Sequence, residues 1–83
     1  MTDTLVVYSK PGCHLCDEMK TVIARVGRSR PLVVEEVDIS GDASLEALYG
    51  LEIPVLMVNG RKAAKYRISD SELIRILEGR GAG

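Results

Sequence analysis

The chain has 83 residues, enough for one domain and too few for two. Its hydrophobic fraction of 46% and charged fraction of 28% are typical of a globular protein and exclude a disordered one. Eleven basic and twelve acidic residues give a net charge of −1, which argues against a dedicated nucleic-acid binder. No apolar run is long enough for a membrane helix, and residues 1–4 do not begin a signal peptide, so we expect a cytoplasmic protein without a membrane partner.

The first half of the chain predicts a strand, a helix and a second strand. Residues 5–8 are a short continuous apolar run, typical of a strand buried on both faces. Apolar residues then recur at helical spacing from Cys16 to Val26, and Gly27 suits the end of this helix. Residues 32–39 predict a second strand, partly exposed. A strand, a helix and a strand within about 35 residues predict a parallel pair with a right-handed crossover.

A hairpin is predicted in the second half of the chain. Residues 55–58 and 61–67 are two extended runs joined by Asn59-Gly60, the strongest short-range hairpin signal. The second run carries four basic residues, Arg61, Lys62, Lys65 and Arg67. Charge of this kind protects an edge strand against aggregation, and the acidic second strand of the chain would be protected in the same way at the opposite edge. A docking patch for an anionic partner or for a carboxylate of glutathione is the alternative explanation of the basic residues.

Two further helices flank the hairpin. Asp42 is a candidate N-cap for a short helix, and Ser69 with Glu72 forms a candidate capping box for the last one. The last helix should leave residues 79–83 as a frayed tail. The element order is then β-α-β-α-β-β-α within a single domain, residues 1–83. The predicted fold class is α/β, with a four-stranded mixed sheet and helices on both faces.

The two cysteines of the chain, Cys13 and Cys16, are separated by only two residues. A disulfide between them closes a tiny loop and is a poor structural staple, which leaves redox chemistry or metal binding. Cys13 lies where the first strand passes into the first helix, an end of the sheet that carries ligand sites in α/β proteins. A helix N-terminus also stabilises a thiolate. We therefore expect Cys13 to be the attacking thiol and Cys16, one turn deeper, to resolve the mixed disulfide.

Three further residues are candidates for a role at this site, two of them close to Cys13 in the sequence. Lys10 would add positive charge near Cys13, or it is a solvated loop lysine. His14 is a candidate general base, but a helical residue next to Cys13 does not face it, which favours a solvent-facing side chain. Pro54 directly precedes an apolar strand, and its residue context alone favours a trans proline at a strand start.

Three segments together resemble the thioredoxin superfamily, and most closely the small glutaredoxin-like bacterial proteins of its glutaredoxin branch. They are residues 8–16 with the Cys-x-x-Cys, residues 37–39 (Val-Asp-Ile) and residues 53–56 (Ile-Pro-Val-Leu). The resemblance covers residues 4 to about 78 and implies a thioredoxin-like fold. It further implies a cis peptide before Pro54, packing of Pro54 beside Cys13, and an extended substrate bound to the Ile53 backbone as an added strand.

The activity that the resemblance implies is dithiol–disulfide oxidoreduction. Protein or small-molecule disulfides would be reduced through a mixed disulfide, at a potential of about −200 to −230 mV if the protein behaves as a glutaredoxin. Glutathione or a flavoprotein reductase would restore the dithiol, and we expect a monomer with no bound cofactor and no metal. Asp70 is the candidate for holding the amino group of glutathione.

The sequence departs from the pattern of these families at several positions. Leu15 replaces the tyrosine that borders the glutathione groove of glutaredoxins, and residues 68–69 replace a glycine pair that lets the backbone approach closely. Val7 falls where thioredoxins carry a buried acid. Glutathione is therefore a candidate co-substrate and not an established one.

Two other classes of function compete with an oxidoreductase. In a metal-binding or iron–sulfur module, Cys13, Cys16 and His14 offer at most three of the four ligands of a zinc site, so two chains would have to share the metal. In a binding adaptor the fold would persist without the chemistry, and the presence of both cysteines argues against that.

Overall fold

The computed structural model describes residues 2–79. Its seven elements are β1 (Asp3–Ser9), α1 (His14–Gly27), β2 (Leu32–Asp38), α2 (Ala43–Tyr49), β3 (Val55–Val58), β4 (Arg61–Lys65) and α3 (Asp70–Glu78). This order confirms the predicted β-α-β-α-β-β-α arrangement. Gly79 caps α3, and the rest of the predicted tail lies outside the described residues. No helix among residues 2–79 is both long enough and apolar enough to cross a membrane.

The four strands form one mixed sheet in the order β2-β1-β3-β4. β1 pairs in parallel with β2 and antiparallel with β3, and β3 pairs antiparallel with β4 across a bulge. The acidic strand β2 and the basic strand β4 are thus the two edges, as predicted. β4 ends at Lys65 and does not reach residue 67, because Tyr66 has a left-handed backbone with φ of +69° that cannot continue a strand.

The core lies between one face of the sheet and the helices α1 and α3. Leu5 and Val7 of β1 are fully buried there, as are Leu56 of β3 and Leu73 of α3. The apolar stripe of α1 completes this core with Met19, Val22, Ile23 and Val26. On the opposite face, α2 contributes Tyr49, whose ring stacks on Tyr8 at a centroid distance of 4.5 Å. The helices therefore lie on both faces of the sheet, as predicted.

Side-chain caps fix the start of each helix. Asp42 accepts a hydrogen bond from the backbone N–H of Leu45 at 3.0 Å, and the capping box of Ser69 and Glu72 is complete. These bonds satisfy backbone donors that have no partner inside the helix. At the start of α1 the capping residue is Cys13, so the first cysteine is held by the geometry of the helix end.

Candidate active site

The loop from β1 to α1 brings Cys13 to the helix N-terminus. The chain leaves the sheet at Ser9 and turns at Gly12, whose φ is +77°. An added Cβ at Gly12 would meet no atom within 4 Å, so the turn requires glycine for its backbone conformation and not for space. The N–H of Cys13 donates to the carbonyl of Lys10 at 3.3 Å and closes the turn.

Cys13 and Cys16 form a disulfide, with their Cα atoms 5.2 Å apart. Cys13 Sγ also accepts a hydrogen bond from the backbone N–H of Cys16 at 3.2 Å, as an N-cap side chain does. Cys13 is half-buried, whereas Cys16 is only 1% exposed. This difference in burial is the one that the sequence predicts for an attacking and a resolving thiol.

Lys10 and His14, the two basic residues near Cys13 in the sequence, contact carboxylates of other residues. The ammonium group of Lys10 forms an ion pair with Glu46 of α2, which ties the loop before Cys13 to that helix. His14 Nε2 lies 2.9 Å from a carboxylate oxygen of Glu18, one turn along α1, and the His14 side chain is 87% exposed. His14 thus adopts the solvent-facing position that its sequence context favours.

The peptide bond between Ile53 and Pro54 is cis, as the resemblance implies, and the trans proline favoured by residue context alone is wrong. Val55, the next residue, pairs with Tyr8 near the end of β1. Because β1 and β3 are antiparallel, Pro54 lies beside the end of β1 from which the Cys13 loop departs. Pro54 is buried and Ile53 is partly exposed. Within residues 2–79, the peptide N–H and C=O of Ile53 make no hydrogen bond.

Asp70 is placed at some distance from the disulfide. Both of its carboxylate oxygens accept hydrogen bonds from Arg25, at 2.9 and 2.8 Å, and this pair ties α3 to α1. The Arg25 hydrogen bond holds the pKa of Asp70 below its usual range. Arg25 lies twelve residues beyond Cys13, or about 18 Å along the helix axis. The structure therefore does not bring Asp70 together with Cys13, and its contact with glutathione stays a prediction.

The sequence analysis does not predict the polar network formed by Ser9, Lys20 and Glu36. Ser9 is only 1% exposed, and its hydroxyl donates to Glu36 Oε2 at 2.8 Å. Lys20 Nζ lies 2.9 Å from the same oxygen, and Lys20 follows Cys16 by one helical turn. The Lys20 hydrogen bond, followed by that of Ser9, lowers the pKa of Glu36, and the same carboxylate raises the pKa of Lys20.

The position of this network follows from strand register. Glu36 is the register partner of Val7 on the neighbouring strand β2. Val7 itself has no titratable group, but its register partner Glu36, on the neighbouring strand, has a carboxylate. The alternation of side chains along β1, combined with the parallel pairing to β2, is the signal that would have placed Ser9 and Glu36 on one face.

No group of three or more His, Cys, Asp or Glu side chains in the described part of the chain has the arrangement of a metal site. A metal site within one copy of residues 2–79 therefore has no ligand set to support it. A metal shared between two chains, as the competing hypothesis requires, is a question for metal analysis.

The model of the glutaredoxin-like domain family (DUF836) matches residues 4–78. Comparison with curated proteins gives no match. Among solved structures, the X-ray structure of target protein XcR50 from X. campestris is 33% identical with a TM-score of 0.76, and covers 90% of this chain and 96% of its own. The solution structure of protein Ne2328 from Nitrosomonas europaea is 28% identical with a TM-score of 0.78, and the match covers 89% of both chains.

A more distant structure shows the fold alone. Chloroplastic thioredoxin z is 13% identical, has a TM-score of 0.77, and the match covers 99% of this chain and 80% of that one. The fold is thus that of thioredoxin-like proteins, and together with the Cys13–Cys16 disulfide it supports a redox function in general. The chain belongs to the glutaredoxin-like domain family (DUF836), and its fold is thioredoxin-like.

Proposed function

We propose that this protein is a thiol–disulfide oxidoreductase that reduces disulfides of proteins or small molecules. The observation that carries the proposal is the disulfide at the start of α1. The half-buried Cys13 Sγ there accepts a hydrogen bond from the backbone N–H of Cys16. In the reduced protein the same N–H and the positive end of the helix dipole stabilise a thiolate on Cys13.

The reaction has two exchange steps. The Cys13 thiolate attacks one sulfur of the substrate disulfide, and the other substrate sulfur leaves as a thiolate that takes up a proton. Cys16 then loses its proton and attacks Cys13 Sγ, so that the second substrate thiol is released and the Cys13–Cys16 disulfide forms. The substrate disulfide is reduced by two electrons, and the protein dithiol is oxidised by two.

A reductant must return these two electrons. Glutathione would do so as two molecules that become glutathione disulfide, and a flavoprotein reductase would do so from its own dithiol. Among the described residues, 2–79, no group bonds to the Ile53 peptide, so an extended substrate could bond to it beside Pro54. Lys10 contributes positive charge on the loop before Cys13, although its ammonium group is shared with Glu46.

A redox titration tests the proposal. The oxidised protein is equilibrated with buffers of reduced and oxidised glutathione, and the thiols of Cys13 and Cys16 are counted by mass spectrometry after alkylation. We expect one reversible two-electron transition at about −200 to −230 mV. The Cys13→Ser and Cys16→Ser variants should not form the intramolecular disulfide, which differs in mass from a mixed disulfide with glutathione. The proposal fails if the wild-type protein shows no such transition, or if its dithiol reduces neither a protein disulfide nor a small one.

A further inference from the structure

Tyr66, between β4 and α3, has an unusual backbone for an aromatic residue. Its φ is +69°, and the N–H of Arg67 donates across it to the carbonyl of Lys65 at 2.8 Å. This combination is that of a classic γ-turn, the rare and strained form. A side chain with a Cβ is disfavoured in this region of backbone space. The Tyr66 side chain is 42% exposed, so burial of the ring does not explain why it is there.

Tyr66 makes two hydrogen bonds to the segment that carries Pro54, residues 51–54, which we call the proline loop. The backbone N–H of Tyr66 donates to the Pro54 carbonyl at 2.9 Å, and its phenol Oη donates to the Leu51 carbonyl at 3.1 Å. Between these two points, the Glu52 carboxylate pairs with the ammonium groups of Lys62 and Lys65 on β4. The proline loop is therefore fastened on both sides of Ile53.

Ile53 is the residue of the proline loop whose peptide groups are left unpaired within residues 2–79. The register of β1 and β3 puts this loop beside the end of β1 that leads to Cys13. An extended polypeptide could add to the Ile53 peptide as a short strand, but a small disulfide without peptide groups, such as 2-hydroxyethyl disulfide, has no backbone to pair with it. The strained turn at Tyr66 orients both donors towards the loop that carries this peptide.

We propose that Tyr66 is a positioning residue that holds the Ile53 peptide in place for a polypeptide substrate containing a disulfide. This inference rests on the proposed oxidoreductase function and adds a substrate class to it. The loss of the phenol should loosen the Leu51 end of the proline loop, and it should weaken binding of a polypeptide without changing the chemistry at Cys13.

The test measures reduction of a peptide that contains a disulfide and of 2-hydroxyethyl disulfide by wild type and Tyr66→Phe. For the peptide we expect KM to rise about three- to tenfold with kcat unchanged, as the loss of one hydrogen bond predicts. For the small disulfide neither constant should change. Tyr49→Phe is the matched control, because the Tyr49 phenol makes no hydrogen bond in the part of the chain that the structure describes. It should leave both substrates unaffected.

A second variant tests the loss of the phenol without leaving an aromatic ring at residue 66. Tyr66→Asn removes the phenol and tolerates the left-handed backbone, so it should raise the peptide KM in the same way. The inference is overturned if both variants leave the peptide KM within about twofold of wild type, or if they slow both substrates equally. Wild-type protein that reduces neither substrate would instead refute the proposed function, so the two failures are distinguishable.

Discussion

Replacement of Leu73 by alanine tests whether α3 is seated on the sheet as the structure places it. Leu73 is fully buried in the core between the sheet and α1. Leu→Ala at such a site costs about 2–5 kcal/mol, from lost burial and from the cavity that remains. A chain of this length has a free energy of unfolding of about 4–12 kcal/mol. Leu73→Ala should therefore remove a large part of the total stability.

Urea denaturation of the oxidised protein measures the loss. With an m-value of about 1 kcal/mol per M, a loss of about 3 kcal/mol moves the midpoint down by about 3 M. Leu48→Ala is the matched control, since Leu48 also lies in a helix but is 65% exposed. It should change the free energy of unfolding by less than about 0.5 kcal/mol. A loss below about 1 kcal/mol for Leu73→Ala, or equal losses for both variants, would refute the packing described for α3.

Three further predictions concern the site and its loop. In the reduced Cys16→Ser variant, Cys13 should be mostly thiolate at neutral pH, against a few per cent for a free cysteine, as measured by thiolate absorbance against pH. Because the Lys20 hydrogen bond lowers the pKa of Glu36, this carboxylate stabilises the fold above the ordinary glutamate range, and the contribution is lost as pH falls through the lowered value. Urea unfolding at neutral and acid pH should therefore show a smaller acid loss for Glu36→Gln than for wild type. Gly12→Ala should cost about 1 kcal/mol in the same assay, because the left-handed turn disfavours any Cβ.

Each of these predictions has an outcome that contradicts it. If the Cys13 absorbance titrates like that of a free cysteine, the helix N-terminus does not stabilise its thiolate. Equal acid sensitivity of wild type and Glu36→Gln would show that the carboxylate is no better stabilised in the folded chain than in the unfolded one. For Gly12 the control is Gly27→Ala in α1, where the new Cβ would make an ordinary contact with Leu32 at 3.6 Å. That control should be neutral or stabilising, and a matching loss there would remove the conformational explanation.

The order of the elements was predictable because each element is specified by local spacing. The helical period from Cys16 to Val26 lies within one continuous segment of the chain. The Asn59-Gly60 signal for a turn consists of two adjacent residues. The predicted end of β4, residue 67, lies two residues beyond the observed end, because the signal that stops the strand is not local. Tyr66 leaves the extended conformation while its N–H and phenol bond to the proline loop, more than ten residues earlier in the sequence.

In the candidate site, too, features set by nearby residues are predictable, whereas contacts between residues distant in the sequence are not. The position of Cys13 at the start of α1 follows from the residues around it, so the sequence alone predicts where the two cysteines lie. The bond between Ser9 and Glu36 spans 27 residues and depends on the exact register of β1 and β2. The pairing of Asp70 with Arg25 spans 45 residues and follows from the packing of two helices, which spacing alone does not determine.

The central claim is that Cys13 attacks a substrate disulfide and Cys16 releases the product. The most direct measurement incubates the reduced Cys16→Ser and Cys13→Ser variants with a peptide disulfide and identifies covalent adducts by mass spectrometry. Cys16→Ser should retain the peptide on Cys13 until dithiothreitol removes it, and Cys13→Ser should retain nothing. An adduct on Cys16 in the Cys13→Ser variant, together with none on Cys13 in the other, would contradict the account.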